Sequence, residues 1–219
     1  MILTGGGLGM KFSKILFLAI ASLGLVSLGA VGLQRWMASR ATPPVLQGRM
    51  MMHQGGMMHQ MHNITSEFDY LTQMIPHHQE AIDTAKILLA RSQRPQMRQF
   101  AQEIIQVQSE EIKQMQIWLR EWYPGRSSTV TYTAMMRDLG QLEGSSLDER
   151  FLQDMIMHHM GAVMMSQMLL NQNLVKHEPV RPFAQEIATA QRQEIKQMQA
   201  WLKDWFGVTG MPAGMMHSH

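Results

Sequence analysis

Met74-Ile75-Pro76-His77-His78 returns as Met155-Ile156-Met157-His158-His159, 81 residues on if counted from His77 to His158. A second block follows each copy. Phe100-Ala101-Gln102-Glu103-Ile104, then Glu111-Ile112-Lys113-Gln114-Met115-Gln116 with Trp118, Leu119 and Trp122, recurs as Phe183-Ala184-Gln185-Glu186-Ile187, then Glu194-Ile195-Lys196-Gln197-Met198-Gln199 with Trp201, Leu202 and Trp205. This second offset is 83, from Trp118 to Trp201, so the two extra residues fall between the blocks, where a turn tolerates insertion. The chain is an internal duplication, and the fold follows from what one copy can and cannot do alone.

Each copy reads as a helical hairpin. In the first, Phe68, Leu71, Met74, His78, Ala81 and Leu88 fall on one helical face, and Ser66 with Asp69 has the spacing of a capping box. The predicted turn is Ser92-Gln93-Arg94-Pro95. The second helix carries Met97, Phe100, Ile104, Val107, Met115, Trp118 and Trp122 on one stripe and closes at Pro124-Gly125. The second copy opens with Ser146 and Glu149 in the same capping relation, turns near His177-Glu178-Pro179 and ends at Gly207. Pro76 is expected to kink the first helix, because it removes a backbone donor. Two amphipathic hairpins cannot each bury an apolar face unaided. The expected fold is therefore all-α, a four-helix bundle over residues 64–207 made of hairpins 64–124 and 146–207, joined by a linker (125–145) with a short helix around Ala134 to Leu142.

Outside the bundle the composition changes. Lys11 and Lys14 precede an uncharged apolar run from Ile15 to Leu33, so residues 1–36 read as a cleaved signal peptide or an uncleaved membrane anchor. Either one places the remainder outside the cytoplasm, in the periplasm or secreted, with membrane contact only if the anchor is retained. Residues 37–63 form a Pro- and Gly-broken arm, expected to be flexible, carrying Met51, Met52, His53, Met57, Met58, His59, Met61 and His62. A tail over 208–219 repeats the theme with Met215, Met216, His217 and His219.

The chain has 24 Met and 10 His but no Cys, an imbalance that packing does not demand, since Met specifies a core poorly. A formal net charge of only +2, spread along the chain, excludes a basic face for nucleic acid. Thioether and imidazole together select copper, Cu(I) first and Cu(II) second, with Ag(I) as a surrogate. Outside the cytosol they also escape the oxidation that disables thiols.

Helix geometry sorts the candidate ligands into faces. Successive residues turn about 100°, so Met155, His158, His159, Ala162 and Met165 share the bundle-facing sector, matched in the first copy by Met74, His77, His78, Ala81 and Thr84. Met157, Met160, Met164 and Met168 gather on the other side. Their counterparts Pro76, Gln79, Asp83 and Ile87 show that the scaffold needs no continuous apolar stripe there, so this face reads as added metal capacity or a docking surface. Glu111 and Glu194 stand four residues before Met115 and Met198 on apolar stripes, where carboxylates are out of place. Each is expected to partner a histidine across the bundle, to ligate a cupric ion, or to sit at the solvent edge. Packing competes as the explanation for every inward Met, and a hydrogen-bonded core competes for every His.

The pattern Met-Ile-x-His-His-x-x-Ala occurs twice, at Met74 to Ala81 and Met155 to Ala162, with Asp148 and Phe151 leading into the second and a Glu-Ile…Met…Trp block after each. In these features residues 64–207 resemble the family called domain of unknown function 305 (DUF305), which includes cyanobacterial copper-binding proteins of the CopM type. The resemblance implies a ferritin-like helical bundle, an extracytoplasmic location and copper binding linked to metal resistance. The family often places a Met three residues after the Ala. Met165 fits and Thr84 does not, so the first hairpin is the one expected to lack a ligand. Neither hairpin contains Glu-x-x-His, which argues against a di-iron centre. The expected function is non-enzymatic capture of copper for sequestration, resistance or delivery to an efflux or sensor partner. The rivals are a cuprous oxidase-type oxidoreductase and a structural, oxidant-scavenging bundle.

Overall fold

The computed structural model describes residues 63–209, and the described residues form four helices and no strand. They are α1 (Glu67–Arg91), α2 (Pro95–Trp122), α3 (Gly144–Asn171) and α4 (Val180–Phe206). The predicted signal or anchor, the Met/His arm and most of the tail lie outside the described residues. No described helix is long and apolar enough to cross a membrane.

Local chemistry sets the helix ends. Ser66 caps α1 by accepting the Asp69 N–H at 3.1 Å, while the Asp69 carboxylate reaches back to the Thr65 N–H at 3.2 Å. Pro95 sits at the start of α2, where no backbone donor is needed. Gly207 takes a left-handed φ of 68° and ends α4 with its N–H on the Lys203 carbonyl and the Val208 N–H on the Leu202 carbonyl. The second capping box does not form. Gly144, at a left-handed φ of 54°, lets the chain enter α3 two residues before Ser146, and Glu149 accepts from Gln153 instead. Pro76 lies inside α1 without ending it.

The bundle has two hairpins, α1 against α2 and α3 against α4, joined where α1 packs on α3. These two inner helices run antiparallel, since the Tyr70 hydroxyl meets Ser166 Oγ at 3.1 Å while the His77 ring lies 3.7 Å from the His158 ring. The duplication thus becomes an approximate two-fold relation centred on His77 and His158. Each end of the bundle holds one apolar cluster with contributions from all four helices. At one end Trp118 packs edge-on against Phe183 with centroids 4.9 Å apart; at the other their counterparts Trp201 and Phe100 do the same at 5.5 Å.

The hairpins also brace each other's turns. The carboxylate of Glu67, fully buried, accepts from the N–H groups of Lys176 and His177 (2.7 and 2.9 Å), from His177 Nδ1 (2.6 Å) and from the Tyr123 hydroxyl (3.0 Å). Its duplicate, Asp148, is held by Arg94 at 3.2 Å and by Ser92 in the opposite turn. Burial pushes the Asp148 carboxyl up from the usual range, against the pull of these two donors. Trp122 stacks on His177 at 4.1 Å, and Trp205 lies under the Arg94 guanidinium at 4.8 Å.

The linker contains no helix, contrary to the expectation for Ala134 to Leu142. Its backbone is taken elsewhere: the Met135 and Met136 N–H groups donate to Glu80 Oε1 at 2.8 and 2.9 Å, Arg137 Nε pairs with Asp154 at 2.9 Å, and Leu139 is buried in the cluster beside Leu147. These tertiary partners replace the i−4 carbonyls that a helix would have supplied.

Candidate metal centre

Between the two apolar clusters lies a buried polar layer. It contains His77 and His78 from α1, His158 and His159 from α3, and the duplicated pair Gln108 and Gln191 from α2 and α4. A packed core pays a penalty for such groups unless they are partnered. The partners are carboxylates at the layer's edge: His78 Nε2 lies 2.9 Å from Glu111 Oε2, His159 Nε2 lies 2.6 Å from Glu194 Oε2, and His158 Nε2 lies 3.2 Å from Glu80 Oε2. Glu111 and Glu194 therefore face a histidine of their own hairpin, not one across the bundle.

In a neutral ring, a proton on the Nε2 that faces the carboxylate leaves Nδ1 as a lone pair; His159 Nε2 makes this hydrogen bond to Glu194 Oε2, whereas His78 and His158 meet their carboxylates as close contacts without hydrogen-bond geometry. Nδ1 of His78, His158 and His159 is buried and makes no hydrogen bond. An imidazole whose far nitrogen is held by a carboxylate, with the near nitrogen bare and out of water, is the arrangement metal-ligating histidines adopt. Burial lowers the His158 pKa to about 4, overriding the pull of Glu80, so this ring is neutral at pH 7. Burial acts to raise the Glu80 pKa, but contacts with His158, Tyr132 and Met136 hold it below the usual range, so the carboxylate is ionised.

Among the described residues no group of three or more His, Cys, Asp or Glu side chains is placed to hold a metal ion. A multidentate site in this core has to draw on methionine. Met74 and Met155 lie one turn before His78 and His159, and Met115 and Met198 lie one turn after Glu111 and Glu194; all four methionines are fully buried. Each hairpin thus contributes one set, Met74, His78, Glu111 and Met115, or Met155, His159, Glu194 and Met198. Met165 shares a sector with Met155, but it stands ten residues on, about 15 Å along the helix, and packs in the cluster that holds Met74 and Met115. It therefore complements the first hairpin. The hairpin short of one thioether is the second, where Thr84 occupies the matching place and turns its hydroxyl to the Glu80 carbonyl at 2.8 Å.

The other methionine face is not one stripe. Met160 packs against one apolar cluster and Met168 against the other, Met157 is half-buried, and Met164 alone of the four is exposed, at 40%. The candidates Met51, Met52, His53, Met57, Met58, His59, Met61, His62, Met215, Met216, His217 and His219 lie outside the described residues.

Sequence reasoning missed several residues at the centre. Glu80 is the duplicate of Gly161, so the two-fold relation breaks where the central histidines meet their partners. His158 meets the Glu80 carboxylate. His77 lies against Gly161, whose missing side chain leaves room filled by the Met135 thioether: a Cβ at 161 would stand 3.1 Å from His77 Nε2 and 3.5 Å from Met135 Sδ. Tyr132 covers the same spot, its ring 6.4 Å from His77 and its hydroxyl donating to Glu80. The Glu80 and Gly161 mismatch inside an otherwise repeated motif, and Gln108 and Gln191 as polar residues on apolar stripes, were the available signals.

Fold and core together define a class: a duplicated four-helix bundle with histidines and thioethers buried between its hairpins. The chain belongs to the DUF305 family, described as a domain of unknown function, whose model matches residues 67–146, 123–202 and 148–219. Among solved structures it is similar to CopM in the Cu(I)-bound form, at 31% identity over 66% of this chain and 100% of that one, with a TM-score of 0.59. CopM in the Ag-bound form matches at 30% identity, with the same coverage and a TM-score of 0.57. A DUF305 fragment from Deinococcus radiodurans matches at 30% identity over 64% of this chain and 96% of that one, with a TM-score of 0.56. No curated protein matches the chain significantly.

Proposed function

We propose that this chain is an extracytoplasmic copper-binding protein that captures Cu(I), with Ag(I) as surrogate and Cu(II) as a weaker cargo, for sequestration, resistance or hand-over to an efflux or sensor partner. The observation that supports it best is the bare, buried Nδ1 of His78 and of His159, each with a carboxylate behind the ring and thioethers one turn away. Such donors are costly in a core of no chemical use and fit a soft monovalent ion. The Cu(I)- and Ag-bound forms of CopM support the same reading by similarity.

The chain is read as a binder, not an enzyme, because its donors are enclosed and duplicated, which suits storage of several ions. Anaerobic dialysis of the full chain against micromolar Cu(I) or Ag(I) tests this, with more than one ion per chain expected. Joint replacement of Met155, His159 and Met198 should remove one ion, and joint replacement of Met74, His78 and Met115 another. No uptake by the wild type refutes the proposal, and oxygen consumption with Cu(I) as substrate would favour the oxidase instead.

A further inference from the structure

We propose that the concavity between α1, the last turns of α2 and the start of the linker binds a small organic carboxylate with an apolar body, held by Arg120 and Arg126. This site is separate from the buried histidines and does not rest on the copper-binding reading above.

The concavity has a volume of about 530 Å³. Small-molecule sites occupy about 300–1,000 Å³. Ile75, Pro76, Leu119 and Val130 give it apolar walls, and the charged residues that line it are Arg120 and Arg126, with no acid among its described lining. Arg94, Arg137 and Arg181 pair with carboxylates, but neither Arg120 nor Arg126 does so among the described residues. Glu67, which the Tyr123 hydroxyl reaches, is fully buried and already takes four donors. A cleft with apolar walls and uncompensated charge of one sign concentrates the opposite sign, so its charge complement is an anion.

The chain prepares one of the two cations. Gly125, at a left-handed φ of 78°, turns the backbone just after α2, and the Arg126 N–H returns to the Tyr123 carbonyl at 3.2 Å. The Arg126 guanidinium is thereby laid over the Phe68 ring, 3.7 Å from its centroid. Stacking occupies one face of the guanidinium and leaves its in-plane N–H donors for a carboxylate, which they grip in pairs. The duplication shows that the scaffold does not need this arrangement. The counterparts of Phe68, Pro76 and Arg120 are Glu149, Met157 and Lys203, so the second copy supplies an acid where the first has a ring. The chain's own N-terminal arm is a poor occupant, because residues 37–62 contain Arg40 and Arg49 and no acid.

The test titrates the full, metal-free chain with 2-naphthoate by calorimetry, against the uncharged 2-naphthamide of the same shape. Naphthoate should bind at one site per chain, and naphthamide more weakly by about tenfold or more. Arg126→Gln and Arg120→Gln should each weaken naphthoate about tenfold, whereas Lys203→Gln, at the matching place in the second copy, should leave it unchanged. Both arginines are exposed, so the thermal midpoints of these variants should stay within a few degrees of the wild type. In the unaltered chain, naphthoate at about ten times its Kd should slow modification of Arg126 by phenylglyoxal about tenfold, as occupancy requires, followed by peptide mass spectrometry. No saturable binding, equal binding of naphthamide, unaltered binding in both arginine variants, or an unchanged modification rate at Arg126 overturns the site. So does naphthoate that binds only by splitting a dimer, seen by light scattering, since the concavity then belongs to a second copy. Metal uptake enters none of these readings, so failure here leaves the proposed function standing.

Discussion

Glu80→Gln is the sharpest test of how the linker is held. The carboxylate accepts from Met135 N–H, Met136 N–H and the Tyr132 hydroxyl and stands 3.2 Å from His158 Nε2. Gln is the same size, and its one carbonyl oxygen can keep the two backbone donors. Its amide then faces Tyr132 and His158, both of which would have to turn from donor to acceptor, and His158 would have to move its proton to Nδ1. Hydrogen bonds to a charged group are worth about 1.5–3 kcal/mol each, against about 0.5–1.5 kcal/mol for neutral ones. Losing the charge on four contacts, at about 1–1.5 kcal/mol each, comes to about 4–6 kcal/mol. With a urea dependence of about 2 kcal/mol per molar, the unfolding midpoint should fall by about 2–3 M with the slope unchanged. The same variant should expose the 126–143 linker to limited proteolysis. Asp83→Asn is the control on the same helix, where the Lys86 pair is solvent-exposed, and should cost at most about 0.5 kcal/mol. If Glu80→Gln costs no more than that control, or the linker stays resistant to cleavage, the carboxylate does not hold the strap.

Three further outcomes are expected. Glu194→Gln leaves the His159 ring in place but removes the group that fixes its tautomer, and should weaken one silver site about 10–100-fold by competition titration, with little change in the other. Thr84→Met restores to the second hairpin the thioether that Met165 gives the first, and should tighten silver binding there by about tenfold or more, about 1.4 kcal/mol. Acid should destabilise the metal-free fold: His158 is neutral when folded, with a pKa of about 4, and titrates near 6.5 when unfolded, so the unfolded chain binds more protons in that window. Its contribution, of order 3 kcal/mol, is complete above pH 6.5 and is lost as pH falls toward 4. The lowered pKa of Glu80 adds a loss at still lower pH. Thermal midpoints between pH 4 and 7 should show the decline, and His158→Gln should flatten it above pH 4.5.

The four helices could be read from the sequence because the duplication states the hairpin twice and the apolar period is the same in both copies. Glu111 and Glu194 stood out because carboxylates do not belong on an apolar stripe, and the structure sets each beside a buried histidine. Periodicity, however, gives the face of a residue and not its level. Met155 and Met165 share a face yet belong to opposite ends of the bundle, so the thioether missing at Thr84 is missing from the second hairpin and not from the first. The linker was misread for a related reason. Ala134, Met135 and Met136 suit a helix locally, but the Glu80 carboxylate claims the N–H groups of Met135 and Met136, and no local pattern reports that. Nothing in the period marks Gly161, and only the structure shows the His77 ring against it.

The exchange of braces between hairpins bears on how such a protein could have arisen. A solitary hairpin would carry a lead-in acid with no turn to grip and a turn with no acid to grip it; only a second copy supplies both. Two identical copies on separate chains would meet as a symmetric dimer, and every residue near the axis would then occur twice. Fusion into one chain lifts that obligation. Glu80 could become unlike Gly161, and the segment created by the join could lay its own sulfur over the axis. The covalent connection is what allows a symmetric scaffold to hold an asymmetric centre.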